Sequence, residues 1–142
     1  MDKVQAFQFF RLHQPMPADC DITQELIDKY DEVRRFFLAH PDKNAIPLLL
    51  QSFGDGDGLG VYQLIEDCFY QYDANDVISC IAAILENPHT IESVRYWCTL
   101  LTMSFPDRRL LVGLDGSLQS KNESICNSAV LSVKLIENAW QI

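Results

Sequence analysis

Positive charge is scarce in this chain. Eleven Lys and Arg stand against twenty Asp and Glu, leaving a formal net charge of −9 and a pI near 4.6. Phosphate backbones and anionic bilayers both need a clustered positive face, so neither nucleic acid nor membrane is expected as a partner. Long apolar runs are missing as well, since none approaches the roughly 20 residues that span a bilayer. The N-terminal apolar stretch Val4 to Phe10 is interrupted by Gln5 and Gln8 and has no small-residue cleavage site after it. These absences predict a soluble, cytoplasmic protein.

Metal and disulfide signatures are also lacking. The five cysteines (Cys20, Cys68, Cys80, Cys98, Cys126) are odd in number and widely spaced, and no Cys-x-x-Cys occurs. The histidines His13, His40 and His89 are isolated. No structural metal and no cofactor is expected, and buried reduced thiols suit a reducing compartment. Catalytic motifs are absent too: there is no Gly-x-Ser-x-Gly, no nucleophile beside a base, and the glycine-rich stretch lacks the lysine of a phosphate loop. The pattern predicts binding rather than catalysis.

What is present is helical periodicity, with no long alternation of apolar and polar residues that would mark a strand. Residues 1–20 read as a lead-in arm or short helix, closed by Pro15 and Pro17. Asp21 and Gln24 have the form of a capping box ahead of a helix through His40, with Leu26, Tyr30, Val33 and Phe37 on one face. Asn44 is the expected cap of a second helix carrying Ile46, Leu48, Leu49, Leu50 and Phe53. Residues 54–60 hold four of the six glycines and predict a flexible turn. A third helix follows, with Val61, Leu64, Ile65, Cys68 and Phe69 inward.

Asp73 then caps a helix bearing Val77, Ile78, Ile81, Ile84 and Leu85, and Thr90 caps one bearing Val94, Trp97, Cys98 and Leu101. Pro106-Asp107 opens a weaker helix through Leu110, Leu111, Leu114 and Leu118, interrupted by Gly113 and Gly116. Ser120 and Glu123 open the last, with Ile125, Ala129, Val133 and Ile136 inward.

These helices repeat. Ile78, Ile81 and Leu85 recur as Leu111, Leu114 and Leu118 at a shift of 33, and Glu92-Ser93-Val94 recurs as Glu123-Ser124-Ile125 at 31. Ile46, Leu49 and Phe53 precede Ile78, Ile81 and Leu85 by 32. Two helices per unit at such a period is the mark of stacked helix pairs, because one pair cannot hide its own apolar face. The tract from Asp76 to Leu85 followed by Ser93-Val94-Arg95-Tyr96-Trp97-Cys98 resembles a HEAT-type repeat, whose second helix opens with Val-Arg. The likeness spans about 44–139 and departs from the pattern where Val61-Tyr62 and Ile125-Cys126 replace Val-Arg. Length and periodicity predict a single all-α domain over 1–142, and the resemblance implies a short, irregular HEAT-like array of about three stacked helix pairs, preceded by an N-terminal helix over 21–40.

Charge supplies the functional signal. Between Asp55 and Glu92 lie eight acidic residues (Asp55, Asp57, Glu66, Asp67, Asp73, Asp76, Glu86, Glu92) and no Lys or Arg. Such a one-sign field steers a basic partner, although the same carboxylates also suit a solvated face of helix caps. Tyr62, Gln63, Glu66, Asp67 and Tyr70 are expected on the outer side of the third helix, and Arg95 and Tyr96 on the equivalent side of the fifth. With Asp55 and Asp57 they form the candidate partner-binding set. A calcium loop is an alternative for the glycine stretch: with Asp55 as position 1, Asp57, Gly60 and Glu66 fall at positions 3, 6 and 12, but Leu59 stands where a ligand is needed. Small acidic proteins with degenerate HEAT-like helices are similar to immunity proteins of bacterial toxin systems. That resemblance implies a cognate protein toxin with a basic surface, such as a nuclease, as partner; a general scaffold or adaptor is the other reading.

Overall fold

A computed structural model describes residues 1–142 and is all helical, with eight α-helices and no strand. No helix is long and apolar enough to cross a membrane. The chain divides into two compact units, Met1–Asp73 and Ala74–Ile142.

The first unit contains α1 (Lys3–Leu12), α2 (Gln24–Ala39), the short α3 (Ile46–Leu50) and α4 (Tyr62–Phe69). Asp2 and Gln5 form a reciprocal capping box that starts α1. The cap of α2 is Thr23, whose hydroxyl accepts from the Leu26 N–H at 3.1 Å, two residues beyond the expected Asp21. A single 3₁₀ turn precedes α3 and is capped by Asp42, not Asn44. The Asn44 N–H, and then Lys3 at 3.1 Å, hold the Asp42 carboxyl below the ordinary carboxylate range.

Burial in this unit is dominated by aromatic rings. Phe37 stacks on Phe10, Phe10 meets Tyr30 edge to face, Tyr30 meets Tyr62, and Tyr62 meets Phe53, with centroids 5.5 to 5.9 Å apart. Each such pair contributes roughly 0.5–1.5 kcal/mol beyond the area it removes from water. The two phenols in the row are satisfied: Tyr30 donates to Ser52 Oγ at 2.6 Å, and Tyr62 Oη accepts the Gly54 N–H at 3.0 Å. The row therefore links α2 and α1 to the floor of the glycine loop.

The second unit contains α5 (Ala74–Glu86), α6 (Glu92–Leu101), α7 (Leu111–Leu118) and α8 (Glu123–Trp140). Here α5 packs on α7 and α6 on α8, so the two helix pairs lie in matching layers. The repeat positions occupy equivalent core sites: Ile81 with Leu114, Val94 with Ile125, Cys98 with Ala129, all buried. α5 buries the five expected residues, Val77, Ile78, Ile81, Ile84 and Leu85. Gly113 makes the α5–α7 approach possible, because a Cβ there would come within 2.5 Å of Leu85 Cβ.

Several local expectations are corrected in this unit. Thr90 does not cap α6; its hydroxyl donates to Ile84 O at 2.5 Å and Ile91 takes the cap position. Asn122 caps α8, while Ser120 accepts the Asn122 N–H. Trp97 is half-buried, and Thr99 takes a core place on α6. Ser132 rather than Val133 faces the core of α8, where its hydroxyl and that of Thr102 lie 2.5 Å apart.

Candidate functional site

The glycine stretch is held from outside rather than left loose. Asp19, on the segment leading into α2, accepts the Asp57 N–H at 3.0 Å and the Gly58 N–H at 2.9 Å, while its own N–H donates to Asp55 O at 2.9 Å. The Met16 N–H donates to Ser52 O at 2.9 Å, a second tie between the same two segments. Asp57 O then accepts from both Gly60 and Tyr62, which delivers the chain into α4. Positive φ at Gly56, Gly58 and Gly60 makes this path possible, and the loop closes tightly over the Tyr62 ring: a Cβ on Gly58 would lie 2.5 Å from Tyr62 Cε1. The expected flexible turn is thus a clamped one.

One non-glycine residue shares that backbone. Leu59 has φ 52°, a left-handed conformation that costs a side-chain-bearing residue about 1–2 kcal/mol relative to glycine. Its side chain is 50% exposed.

Of the partner-binding set, Asp55, Asp57, Gln63, Asp67 and Tyr70 are exposed, and Glu66 is half-buried. Gln63, Asp67 and Tyr70 follow one another at helical spacing along the outer face of α4, and Tyr70 Oη donates to Glu66 Oε1 at 2.8 Å. Asp55, Asp57 and Asp67 take part in no salt bridge; the ion pairs of this unit involve Asp42, Glu32 and Asp31 instead.

Two expected surface residues are not on the surface. Tyr62 is 1% exposed; it belongs to the aromatic row, and burial pushes its phenol up to about 12. Leu64, expected inside, is 44% exposed, because the buried stripe of α4 runs through Tyr62, Ile65, Cys68 and Phe69. Tyrosine reads as polar in a sequence, yet its single hydroxyl needs only one partner, here Gly54 N–H, to enter a core.

Arg95, in the second unit, is only 9% exposed. Its guanidinium donates to Leu85 O at 2.7 Å, Asn87 O at 3.1 Å and Ser117 Oγ at 2.9 Å. It joins the end of α5 to α7, and desolvation lowers its pKa from the ordinary value. Tyr96 beside it is half-buried, with its ring edge to face with Trp97. Arg95 is therefore a brace of the second unit.

Nowhere do three or more His, Cys, Asp or Glu side chains gather as metal ligands. Asp57 Oδ1 accepts the Gly60 N–H at 3.3 Å, and Glu66 is engaged with Tyr70. The residue that sequence reasoning missed is Asp19, whose role depends on a loop almost forty positions away. Comparison with protein-family models, curated proteins and solved structures found no match for this chain.

Proposed function

We propose that this chain is an immunity-type protein that binds and neutralises a cognate bacterial toxin with a basic surface, using the 54–60 loop and the outer face of α4. The observation that carries this reading is the exposure of Asp55, Asp57 and Asp67 outside any ion pair, in a stretch with no Lys or Arg between Lys43 and Arg95. Carboxylates left without counter-charges repel one another and contribute little to stability, whereas they raise the encounter rate with a cationic protein. The clamp at Asp19 adds preorganisation, since a loop already fixed loses less entropy when a partner arrives. The toxin assignment leans further on the HEAT-like resemblance of the tract from Asp76 to Cys98. A general adaptor would use the same face for a different basic partner.

Co-expression with the product of the adjacent gene tests the assignment. The expected result is rescue of growth and a co-purifying, salt-sensitive complex. The triple variant D55K/D57K/D67K should lose rescue with little change in melting temperature, because the one fold contact it removes is the long, exposed bond from the Gly60 N–H to Asp57 Oδ1. Absence of rescue by the native chain would overturn the toxin assignment, and full rescue by the triple variant would remove the acidic face from it.

A further inference from the structure

We propose that Asp57-Gly58 is a latent isoaspartate site, where the chain can rearrange through a succinimide, and that Asp19 holds it closed. Three Asp-Gly dipeptides occur in the chain: Asp55-Gly56, Asp57-Gly58 and Asp115-Gly116. Glycine is the successor that least obstructs ring closure after an aspartate, because no Cβ stands beside the attacking nitrogen. At position 58 the fold requires that glycine. Its φ is +60°, and a Cβ there would lie 2.5 Å from Tyr62 Cε1. Packing over the Tyr62 ring thus retains a reactive dipeptide, with Asp57 exposed and Gly58 buried beneath it.

In the rearrangement the Gly58 nitrogen gives up its proton and bonds to Asp57 Cγ, the protonated carboxyl gives up its hydroxyl, and one water leaves. A water then opens the imide. Cleavage at Cγ restores aspartate, whereas cleavage at the main-chain carbonyl carbon leaves the chain running through Cβ and Cγ. Mass is unchanged, and no oxidant or other co-reactant takes part. In the native loop both reacting groups are engaged: the Gly58 N–H donates to Asp19 Oδ1 at 2.9 Å, and Asp57 Oδ1 accepts the Gly60 N–H at 3.3 Å. A carboxylate is far too weak a base to remove an amide proton, and its negative charge opposes the nitrogen anion that attack requires. The Asp57 N–H, donating to Asp19 Oδ2 at 3.0 Å, fixes the other side of the same residue. Ring closure therefore waits on opening of the clamp, and its rate follows the population of the open loop. The product would undo local structure, because Asp57 O, which accepts the N–H groups of Gly60 and Tyr62, would become part of a carboxylate on a branch. Isoaspartate at 57 would thus release the entry into α4.

The test incubates the full chain, native and D19A, in warm, mildly acidic buffer beside the native chain unfolded in guanidinium chloride. Peptide maps score succinimide by the loss of one water and isoaspartate by a shifted retention at unchanged mass, with fragmentation to tell residue 57 from residue 55. Asp115-Gly116, whose amide belongs to the ladder of α7, is the internal control for unfolding. Isoaspartate at 57 is expected to accumulate at least about tenfold more slowly in the native chain than in the unfolded one. D19A should close most of that gap while residue 115 keeps its native rate. Where D19A raises both sites because it unfolds, D19N, which keeps one accepting oxygen, carries the same test at smaller amplitude. Acceleration at 57 alone in either variant supports the proposal. A native rate at 57 equal to the unfolded rate, or D19N and D19A that accelerate both sites alike or neither, would overturn it.

Discussion

Asp19 and Gly58 are 39 residues apart in sequence, yet the carboxylate of one accepts the backbone N–H of the other at 2.9 Å. With the Asp57 N–H at 3.0 Å, this makes a two-pronged clamp in which an acid positions the acidic loop. Hydrogen bonds to a charged acceptor contribute about 1.5–3 kcal/mol when intact, and less where water reaches them. Asp19→Ala should therefore cost about 2 kcal/mol in urea denaturation, with Asp19→Asn losing about half of that. Hydrogen exchange at the Asp57 and Gly58 amides should accelerate in both. Unchanged protection of those amides in D19A would show that the clamp does not hold the loop.

Arg95 makes a second prediction. Its guanidinium satisfies carbonyls at the end of α5 and a hydroxyl on α7, and Ser117 Oγ is in turn 2.9 Å from Thr99 Oγ1. Arg95→Ala leaves these buried acceptors without a donor and should destabilise the second unit by about 3 kcal/mol. Arg95→Lys keeps the charge but offers a single ammonium in place of a fork, and should recover only part of the loss. Equal stability of R95A and the native chain in chemical denaturation would contradict the brace.

The two glycines of α7 are predicted to respond with opposite signs. Ala favours a helix over Gly by about 1 kcal/mol in the absence of other effects. At Gly113 the new methyl would meet Leu85 Cβ at 2.5 Å and Leu85 C at 3.1 Å, so G113A should force α5 from α7 and cost about 2 kcal/mol net. At Gly116 the nearest atom is Arg95 Nη1 at 3.3 Å, so the braced guanidinium need shift only slightly, and the helix-propensity gain should leave G116A neutral or slightly stabilising. Paired thermal melts decide the matter: a stabilised G113A would mean that the close approach is not needed.

Alkaline pH should weaken the fold. Burial pushes the thiols of Cys68 and Cys98 up to about 11 and about 12, and the Tyr62 phenol up to about 12. In the unfolded chain these groups lose their protons near about 8.5 for Cys and about 10 for Tyr. A folded-state pKa above the unfolded one gives stability that is complete below the unfolded pKa and is lost as pH rises through the folded pKa. Each group should thus remove about 1.4 kcal/mol per pH unit across its own window, beginning near about pH 8.5 for the thiols. Stepwise urea denaturation should show this decline, and Cys68→Ala with Cys98→Ala should flatten its first part; an identical slope in the double variant would refute the assignment.

The contrast between α5 and α4 shows what the sequence makes legible. Val77, Ile78, Ile81, Ile84 and Leu85 are all aliphatic, so period and chemistry agree and the buried stripe of α5 is read correctly. On α4 the same reasoning places Val61 and Leu64 inward and Tyr62 outward, and the aromatic row reverses this. What decided the outcome was the set of rings contributed by α1, α2 and Phe53, and none of these is local to α4. Arg95 fails for the same reason, since its acceptors lie between 8 and 22 residues away. The exposed acids Asp55, Asp57 and Asp67 were legible from charge alone, because nothing with a positive charge stands near them in the chain. Asp19 was not: a carboxylate that receives two amides from a distant loop carries no periodic or motif signature.

Trp140 closes α8, with its indole N–H donating to Pro106 O at 3.4 Å and the Arg108 guanidinium 6.0 Å from its ring. The other tryptophan, Trp97, lies on α6, so both indoles of the chain belong to Ala74–Ile142, while four of the five tyrosines belong to Met1–Asp73. Nature has in effect labelled the halves with different chromophores. Indole emission reports on the surroundings of the C-terminal half, and the tyrosine signal is weighted toward the half that bears the acidic loop, so light addresses the two halves differently without any added probe.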